Sequence, residues 1–110
     1  MRDFKETVKL GQAQRKLLRH KCKIVRGLLA SSSEESQRAL KSEAAALEEL
    51  YVSSMRTSIK MSRVISTGAV LLVEQPKQVL RLMNDILRLR ALHEDVAKLL
   101  TEFKSKSDQA

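Results

Sequence analysis

Apolar residues recur at alternating steps of three and four through almost the whole chain, and this is the period of an α-helix rather than of a strand. The clearest row lies between residues 4 and 29, where only Arg15 interrupts it. Its members are Phe4, Val8, Gly11, Leu18, Cys22, Val25 and Leu29. One proline and three glycines occur in 110 residues, so few positions disfavour a helix. The pattern predicts an all-α protein.

Two interruptions divide the chain into three helices. The serine-rich stretch at 31–36 ends the first helix, and Pro76 fits the first turn of a new helix because proline lacks an amide proton. We therefore predict a long antiparallel helical hairpin, with helix one at about 3–29 and helix two at about 33–73. A third amphipathic helix is predicted at about 77–104, packed beside the second or extending it.

Apolar rows also predict which side chains of the later helices are buried. The row of helix two is expected to run through Leu40, Ala44, Leu47, Tyr51, Met55 and Ile59, and after a slip through Met61, Ile65, Ala69 and Leu72. The row of helix three comprises Val79, Leu82, Ile86, Leu89, His93, Val96, Leu100 and Phe103. It is widened by Leu80, Met83, Leu87, Leu92 and Leu99. Helix three is therefore expected to bury one broad face.

The ends of these elements have signals of their own. Ser31 or Ser32 is expected to form a capping box with the glutamate three residues later, which would start helix two. The chain is long enough for one domain, and we assign residues 1–104 to it. Residues 105–110 are polar and lack periodicity, so they are expected to form a frayed tail.

A row of positive charge runs directly beside the apolar row of helix one. It covers about 30 Å at 1.5 Å per residue. Its cations are Lys5, Lys9, Lys16, Arg19, Lys23 and Arg26. The chain carries a net charge of +8, and this charge lies mainly at the N-terminal end, ahead of an acidic segment. Such an order predicts attraction to a polyanion or between copies. The alternative is a merely solvated face beside a buried seam.

No motif for catalysis is present. The sequence lacks a glycine-rich phosphate loop, a nucleophile elbow and a carboxylate pair in a recognisable cleft, so we predict no enzyme, no cofactor and no small-molecule substrate. His20 and His93 have no cysteine or carboxylate at zinc-ligand spacing, which predicts no metal site. His93 and Cys22 both lie on apolar rows and are expected to be packing residues.

Composition also bears on the compartment. A lone cysteine and the lack of a signal-peptide pattern favour a cytoplasmic protein. The longest apolar run, at 69–73, is far shorter than the roughly 20 residues that span a bilayer. Peripheral association with endosomal or other membranes is compatible with both observations.

Two anionic partners suit the basic row to different degrees. An anionic membrane surface is one candidate, since each Lys or Arg near it contributes on the order of 1 kcal/mol. Nucleic acid fits less well, because no aromatic residues for base stacking and no known reader motif accompany the cations.

Two tracts carry a resemblance to a known family: QVLRLMNDILRLRALHEDVAKLLTEF at 78–103 and ELYVSSM at 49–55. Together with the basic first helix, the short turn and the acidic start of the second helix, they resemble the core of the ESCRT-III subunits, the charged multivesicular body proteins. Pro76 departs from the family's pattern.

The resemblance implies a membrane-remodelling filament in which the basic row meets anionic lipid. The region from Thr67 to Pro76, with Gly68 and Pro76 as its hinge residues, would then separate a closed monomer from an open polymer. Acidic residues expected to meet a neighbouring copy are Glu34, Glu35, Glu43, Glu48 and Glu49. Apolar residues expected to serve self-association or partner binding are Leu82, Ile86, Leu89, Val96 and Leu100.

A second class of function also fits the sequence. The chain could be a helical interaction or adaptor subunit of a larger coiled-coil or tethering complex, whose apolar rows another helical protein completes. The expected partners are therefore other helical proteins or copies of the chain itself.

Overall fold

The computed structural model describes residues 2–31, 33–67 and 74–109, and these residues form three helices without a strand. The helices are α1 (Arg2–Ala30), α2 (Glu34–Thr67) and α3 (Pro76–Gln109). Each helix packs against the other two. The predicted all-α class and three-helix order are confirmed.

Contacts between α1 and α2 establish the antiparallel hairpin. Gln14 Nε2 donates to Ser53 Oγ at 2.9 Å, and Lys21 Nζ pairs with Glu43 Oε2 at 2.7 Å. The later residue of α1, Lys21, contacts the earlier residue of α2, Glu43, so the two helices run in opposite directions.

Helix α3 returns beside the hairpin rather than extending it. Asp85 lies near the middle of α1, where Gln12 Nε2 donates to its Oδ2 at 3.3 Å. Near the other end, Lys106 Nζ donates to the carbonyl oxygen of Leu29. These two contacts make α3 parallel to α1 and antiparallel to α2.

The bundle is a thin rod of 56 × 19 × 17 Å. Its radius of gyration is 16.9 Å, whereas a compact domain of this length has about 13 Å. Each helix therefore keeps a large part of its surface available for contacts outside the bundle.

The core is built from the predicted rows of α1 and α3. The α1 side chains in it are Leu18, Cys22, Val25 and Leu29. Those of α3 are Val79, Leu82, Ile86, Leu89, His93, Val96, Leu99 and Leu100. Both rows are confirmed at these positions, although the side chain of Phe4 lies outside the described part.

The row predicted for α2 is confirmed through Leu47 and again at Met61, but it is wrong at Met55 and Ile59. Met55 and Ile59 are 41% and 52% exposed. After Leu47 the row advances by three steps of four residues. Because a helix has 3.6 residues per turn, each such step moves the row about 40° around the helix axis. The row consequently leaves the core. Ser54, Thr57 and Ser58 are buried in place of Met55 and Ile59.

Hydroxyl groups occupy this stretch without losing hydrogen bonds. Ser58 Oγ donates to the Met55 carbonyl at 2.7 Å, and Thr57 Oγ1 donates to the Ser53 carbonyl at 3.1 Å. Burial of a satisfied hydroxyl costs little compared with that of an unpaired one. Helix α2 can therefore bury polar residues and leave Met55 and Ile59 outside.

Helix α2 begins at Glu34 and is capped by Ser33. Ser33 Oγ accepts from the Ser36 amide at 3.1 Å, the usual reach of an N-cap side chain to the third helical residue. Ser31 Oγ instead accepts from the Ser33 amide at 3.4 Å, so the box expected at Ser31 does not form. Ser32, the other candidate, lies outside the described residues.

Helix α3 begins at Pro76, as the proline predicted, and the amide of Val79 donates to the Gln75 carbonyl at 3.2 Å. It ends at Gln109, five residues beyond the predicted end at 104, and Lys106 in this extension bonds to α1. The expected frayed tail is thus helical as far as Gln109. Gly68 and the predicted end of helix two at 73 lie outside the described part.

Candidate interaction surfaces

Six cations form what we call the basic face, and all of them are exposed on α1. They are Lys5, Lys9, Lys16, Arg19, Lys23 and Arg26. Gln12 belongs to the same row, and its side chain reaches Asp85 of α3. The basic face therefore lies on the side of α1 that borders α3.

Helix α3 adds cations to this side. A groove between the first half of α1 and the first half of α3 is lined by both helices, and we call it the α1–α3 groove. Its polar lining is Lys5, Gln12, Gln78, Arg81, Asn84, Asp85 and Arg88. Arg81 and Arg88 were not among the predicted site residues. Their spacing of seven places them on one side of α3, but only the parallel packing shows that this side meets the basic face.

One carboxylate lies at the floor of the groove and is already engaged. Asp85 accepts from Gln12, and its Oδ1 lies 3.9 Å from Arg15 Nη1. Farther along, Arg19 and Arg88 line a second depression together with Asp95. Positive charge consequently continues past the end of the groove.

The acidic residues predicted to meet a neighbour are in different situations. Glu43 forms the pair with Lys21 inside the hairpin. The other four are exposed on α2, namely Glu34, Glu35, Glu48 and Glu49. Glu34 and Glu35 lie in the first turn of α2, where a helix favours negative charge.

The five apolar residues predicted for self-association are not on the surface of the bundle. Leu82, Ile86, Leu89, Val96 and Leu100 are all buried in the core between the helices. In this conformation they complete the chain's own bundle.

A different set of apolar residues is exposed, and we call it the apolar strip. Val52, Met55 and Ile59 form its part on α2, and Leu80, Met83 and Leu87 form its part on α3. Beyond one end of each part, Arg90 Nη2 of α3 donates to Ser62 Oγ of α2 at 3.2 Å. Ser62 continues the spacing of the α2 part, and Arg90 continues that of the α3 part.

The strip corrects the prediction that α3 buries one broad face. Leu80 and Leu87 are 59% and 60% exposed, whereas the core row of the same helix is buried. Three large apolar side chains are thus exposed at helical spacing on each of α2 and α3, and grouped exposure of this kind marks contact surfaces more often than single exposed residues do.

One buried polar cluster lies between α2 and α3. His93 is 7% exposed, its Nε2 lies 2.7 Å from Ser54 Oγ, and its ring stands edge-on to Tyr51. Burial, and secondarily the charge of Arg90, lowers the pKa of His93 below its ordinary value. The predicted packing role of His93 is confirmed.

The thiol of Cys22 is also a packing group. It is 3% exposed, and burial raises its pKa despite the opposing charge of Arg26. A protonated, buried thiol is a poor nucleophile. Within the described residues, no group of three or more His, Cys, Asp or Glu side chains is arranged to hold a metal ion.

Among the described helices, none has the length and apolar character of a membrane span. No protein-family model matches the sequence, and no curated protein or solved structure is significantly similar to it. Function is therefore inferred from the basic face, the groove and the apolar strip.

Proposed function

We propose that the protein is a non-enzymatic helical assembly protein that docks on an anionic membrane through its basic face and polymerises there. The observation that carries this proposal is the grouping of exposed cations along one side of a rod 56 Å long. The six cations of the basic face are joined on that side by Arg81 and Arg88 of α3. A long basic side suits an extended anionic surface.

The strength of such docking follows from the number of charges. Each Lys or Arg near an anionic bilayer contributes on the order of 1 kcal/mol, and this attraction is screened by salt. Several such cations support reversible binding of one copy. Polymerised copies would bind far more tightly, since each additional contact becomes intramolecular.

Assembly is proposed to follow the opening that the ESCRT-III resemblance implies. If α3 swings away at the connection between Thr67 and Pro76, the apolar side chains it now buries become available to another copy. Leu82, Ile86 and Leu89 would then serve self-association, which they do not do in the closed bundle. The exposed Glu48 and Glu49 would provide an acidic contact for a neighbour's basic surface.

Vesicle sedimentation tests the docking step. The protein should pellet with vesicles rich in phosphatidylserine at low salt, pellet less at physiological salt, and stay in solution with neutral vesicles. The double variant Lys16→Glu with Lys23→Glu removes two attractive charges, so its affinity should fall by roughly 30-fold or more. The bound fraction should be measured over a range of lipid concentrations.

A matched variant tests whether binding depends on the basic face or only on the net charge of the protein. Lys60→Glu with Arg63→Glu makes the same change in net charge on exposed positions of α2. It should retain most of the binding. Equal loss in both variants, or no binding of the unchanged protein to anionic vesicles, would rule out docking through the basic face.

A second function is favoured by the apolar strip. A helical adaptor subunit would use this strip to bind another helical protein and would need no lipid. Substituting Met55→Ser and Leu87→Ser should then abolish binding to that protein, identified by crosslinking in cells, and leave vesicle binding unchanged. Filaments seen by electron microscopy with the purified protein alone would favour the first function.

A further inference from the structure

We propose that the α1–α3 groove binds the headgroup of a multiply phosphorylated lipid of the phosphoinositide class. This inference rests on the proposed membrane docking and assigns one part of that surface a specific ligand. It concerns the concave groove rather than the exposed outer side of α1.

The groove presents cations from two walls. Lys5 comes from α1, and Arg81 and Arg88 come from α3. Arg81 and Arg88 stand two helical turns apart, about 10 Å along the axis. A compact ligand with several phosphate groups can contact both walls at once, whereas a headgroup with a single charge cannot.

Within the described part of the chain, these cations are not neutralised. Among the residues that the structure describes, none of Lys5, Arg81 and Arg88 forms an ion pair. The carboxylate in the groove belongs to Asp85, which Gln12 and Arg15 already engage. The net charge of the groove is therefore positive, and its arginines have guanidinium groups available for a ligand.

The polar side chains that line the groove suit phosphate groups better than positive charge alone would. Arginine binds phosphate oxygens through two parallel N–H donors, which adds geometric selectivity to attraction. Amide side chains of Gln78 and Asn84 line the same α3 wall. They offer neutral donors and acceptors for the hydroxyl groups of an inositol ring.

The test compares two vesicle types with equal total charge. One contains phosphatidylinositol bisphosphate and the other contains only phosphatidylserine as its anionic lipid. The unchanged protein should bind the bisphosphate vesicles roughly tenfold more tightly at physiological salt. Free inositol trisphosphate should displace it from the bisphosphate vesicles more readily than from the phosphatidylserine vesicles.

Paired variants then show which residues cause the preference for bisphosphate vesicles. Arg81→Gln with Arg88→Gln should remove the preference for bisphosphate vesicles, and it should weaken phosphatidylserine binding no more than a loss of two charges outside the groove does. Lys16→Gln with Lys23→Gln removes the same charge from outside the groove, so it should weaken both kinds of binding in parallel and keep the preference. Arg81→Lys with Arg88→Lys keeps the charge and should still reduce the preference. Circular dichroism would verify that these exposed substitutions leave the helices intact.

Each other outcome overturns the inference. Equal binding of the unchanged protein to both charge-matched vesicles would refute the groove ligand and leave membrane docking standing. Binding to neither vesicle would refute both. If the two glutamine variants lost the preference equally, the preference would reflect total charge and not a site. Tight binding of free inositol trisphosphate without any lipid preference would indicate a soluble phosphorylated ligand instead.

Discussion

His93 of α3 donates a hydrogen bond from Nε2 to Ser54 Oγ of α2, over 2.7 Å inside the core. The direction of this bond follows from the second contact of the serine. Ser54 Oγ lies 2.9 Å from the Tyr51 carbonyl oxygen, which can only accept. Because a hydroxyl has one proton, Ser54 gives it to Tyr51 and accepts from His93. The neutral ring therefore carries its proton on Nε2.

This arrangement predicts that the free energy of unfolding falls in mild acid. The pKa of His93 is lowered in the fold by burial and then by Arg90, so the unfolded chain binds the additional proton first. The stability is fully present above the unfolded-state pKa of about 6.5, and it is lost as the pH falls below that value. One additional proton gives a slope of at most about 1.4 kcal/mol per pH unit.

Urea unfolding between about pH 5 and pH 7.5 measures this slope. His93→Gln keeps an N–H donor for Ser54 but does not titrate, so its slope should be smaller. His20→Gln removes the other histidine from an exposed position of α1 and is the control substitution. Identical slopes for all three proteins would contradict the lowered pKa.

Loss of the Ser54 hydroxyl should destabilise the bundle more than loss of a similar buried hydroxyl. Ser54→Ala leaves the Nε2 proton of His93 without an acceptor, which costs about 1–3 kcal/mol. Ser58→Ala is the matched control, because Ser58 is also buried and its hydroxyl donates to the Met55 carbonyl of its own helix. Denaturant midpoints of the two variants should differ clearly, and equal midpoints would argue against the His93 contact.

The two glycines of α1 should respond to alanine in different ways. Nothing lies within 4 Å of a β-carbon added at Gly27, so Gly27→Ala should stabilise by about 0.5–1 kcal/mol through helix propensity. A β-carbon added at Gly11 would lie 2.8 Å from Met61 Sδ, and Met61 is fully buried. The Met61 side chain would have to shift to make room, and the cost of this shift should offset the gain in helix propensity at Gly11.

Thermal unfolding of both variants measures this difference. We expect Gly11→Ala to be at least about 1 kcal/mol less stable than Gly27→Ala. The double variant Gly11→Ala with Met61→Ala would remove the clash, so the cost specific to Gly11 should disappear in it. Equal stabilisation by both single substitutions would show that α1 and α2 approach less closely at Gly11.

The number and order of the helices were predictable because periodicity and Pro76 act locally. The burial of α1 was predictable for the same reason, since its row alternates steps of three and four. In α2, by contrast, the most apolar row turns away from the core, and Ser54 and Ser58 replace it. Their burial depends on partners in α2 itself and in α3, which a count of apolar residues does not include.

The surfaces were likewise predictable only in part. Exposure of the basic face was predictable, since Lys and Arg at one row of a helix rarely enter a core. Its extension by Arg81 and Arg88 was not, because it depends on α3 running parallel to α1. The contacts that set this direction, of Asp85 with Gln12 and of Lys106 with Leu29, join residues more than 70 positions apart.

The bond from Lys106 to the Leu29 carbonyl predicts that the end of α3 stabilises the end of α1. The last carbonyls of a helix lack partners within it, and a cation beside them is favourable. Lys106→Met keeps the aliphatic stem and removes the donor, so it should cost about 0.5–1.5 kcal/mol. Lys104→Met removes the same charge from an exposed position and should cost less. Amide hydrogen exchange should accelerate in the last turns of α1 and α3 for Lys106→Met alone. Unchanged exchange there would mean that α3 ends near 104 in solution, as its sequence first indicated.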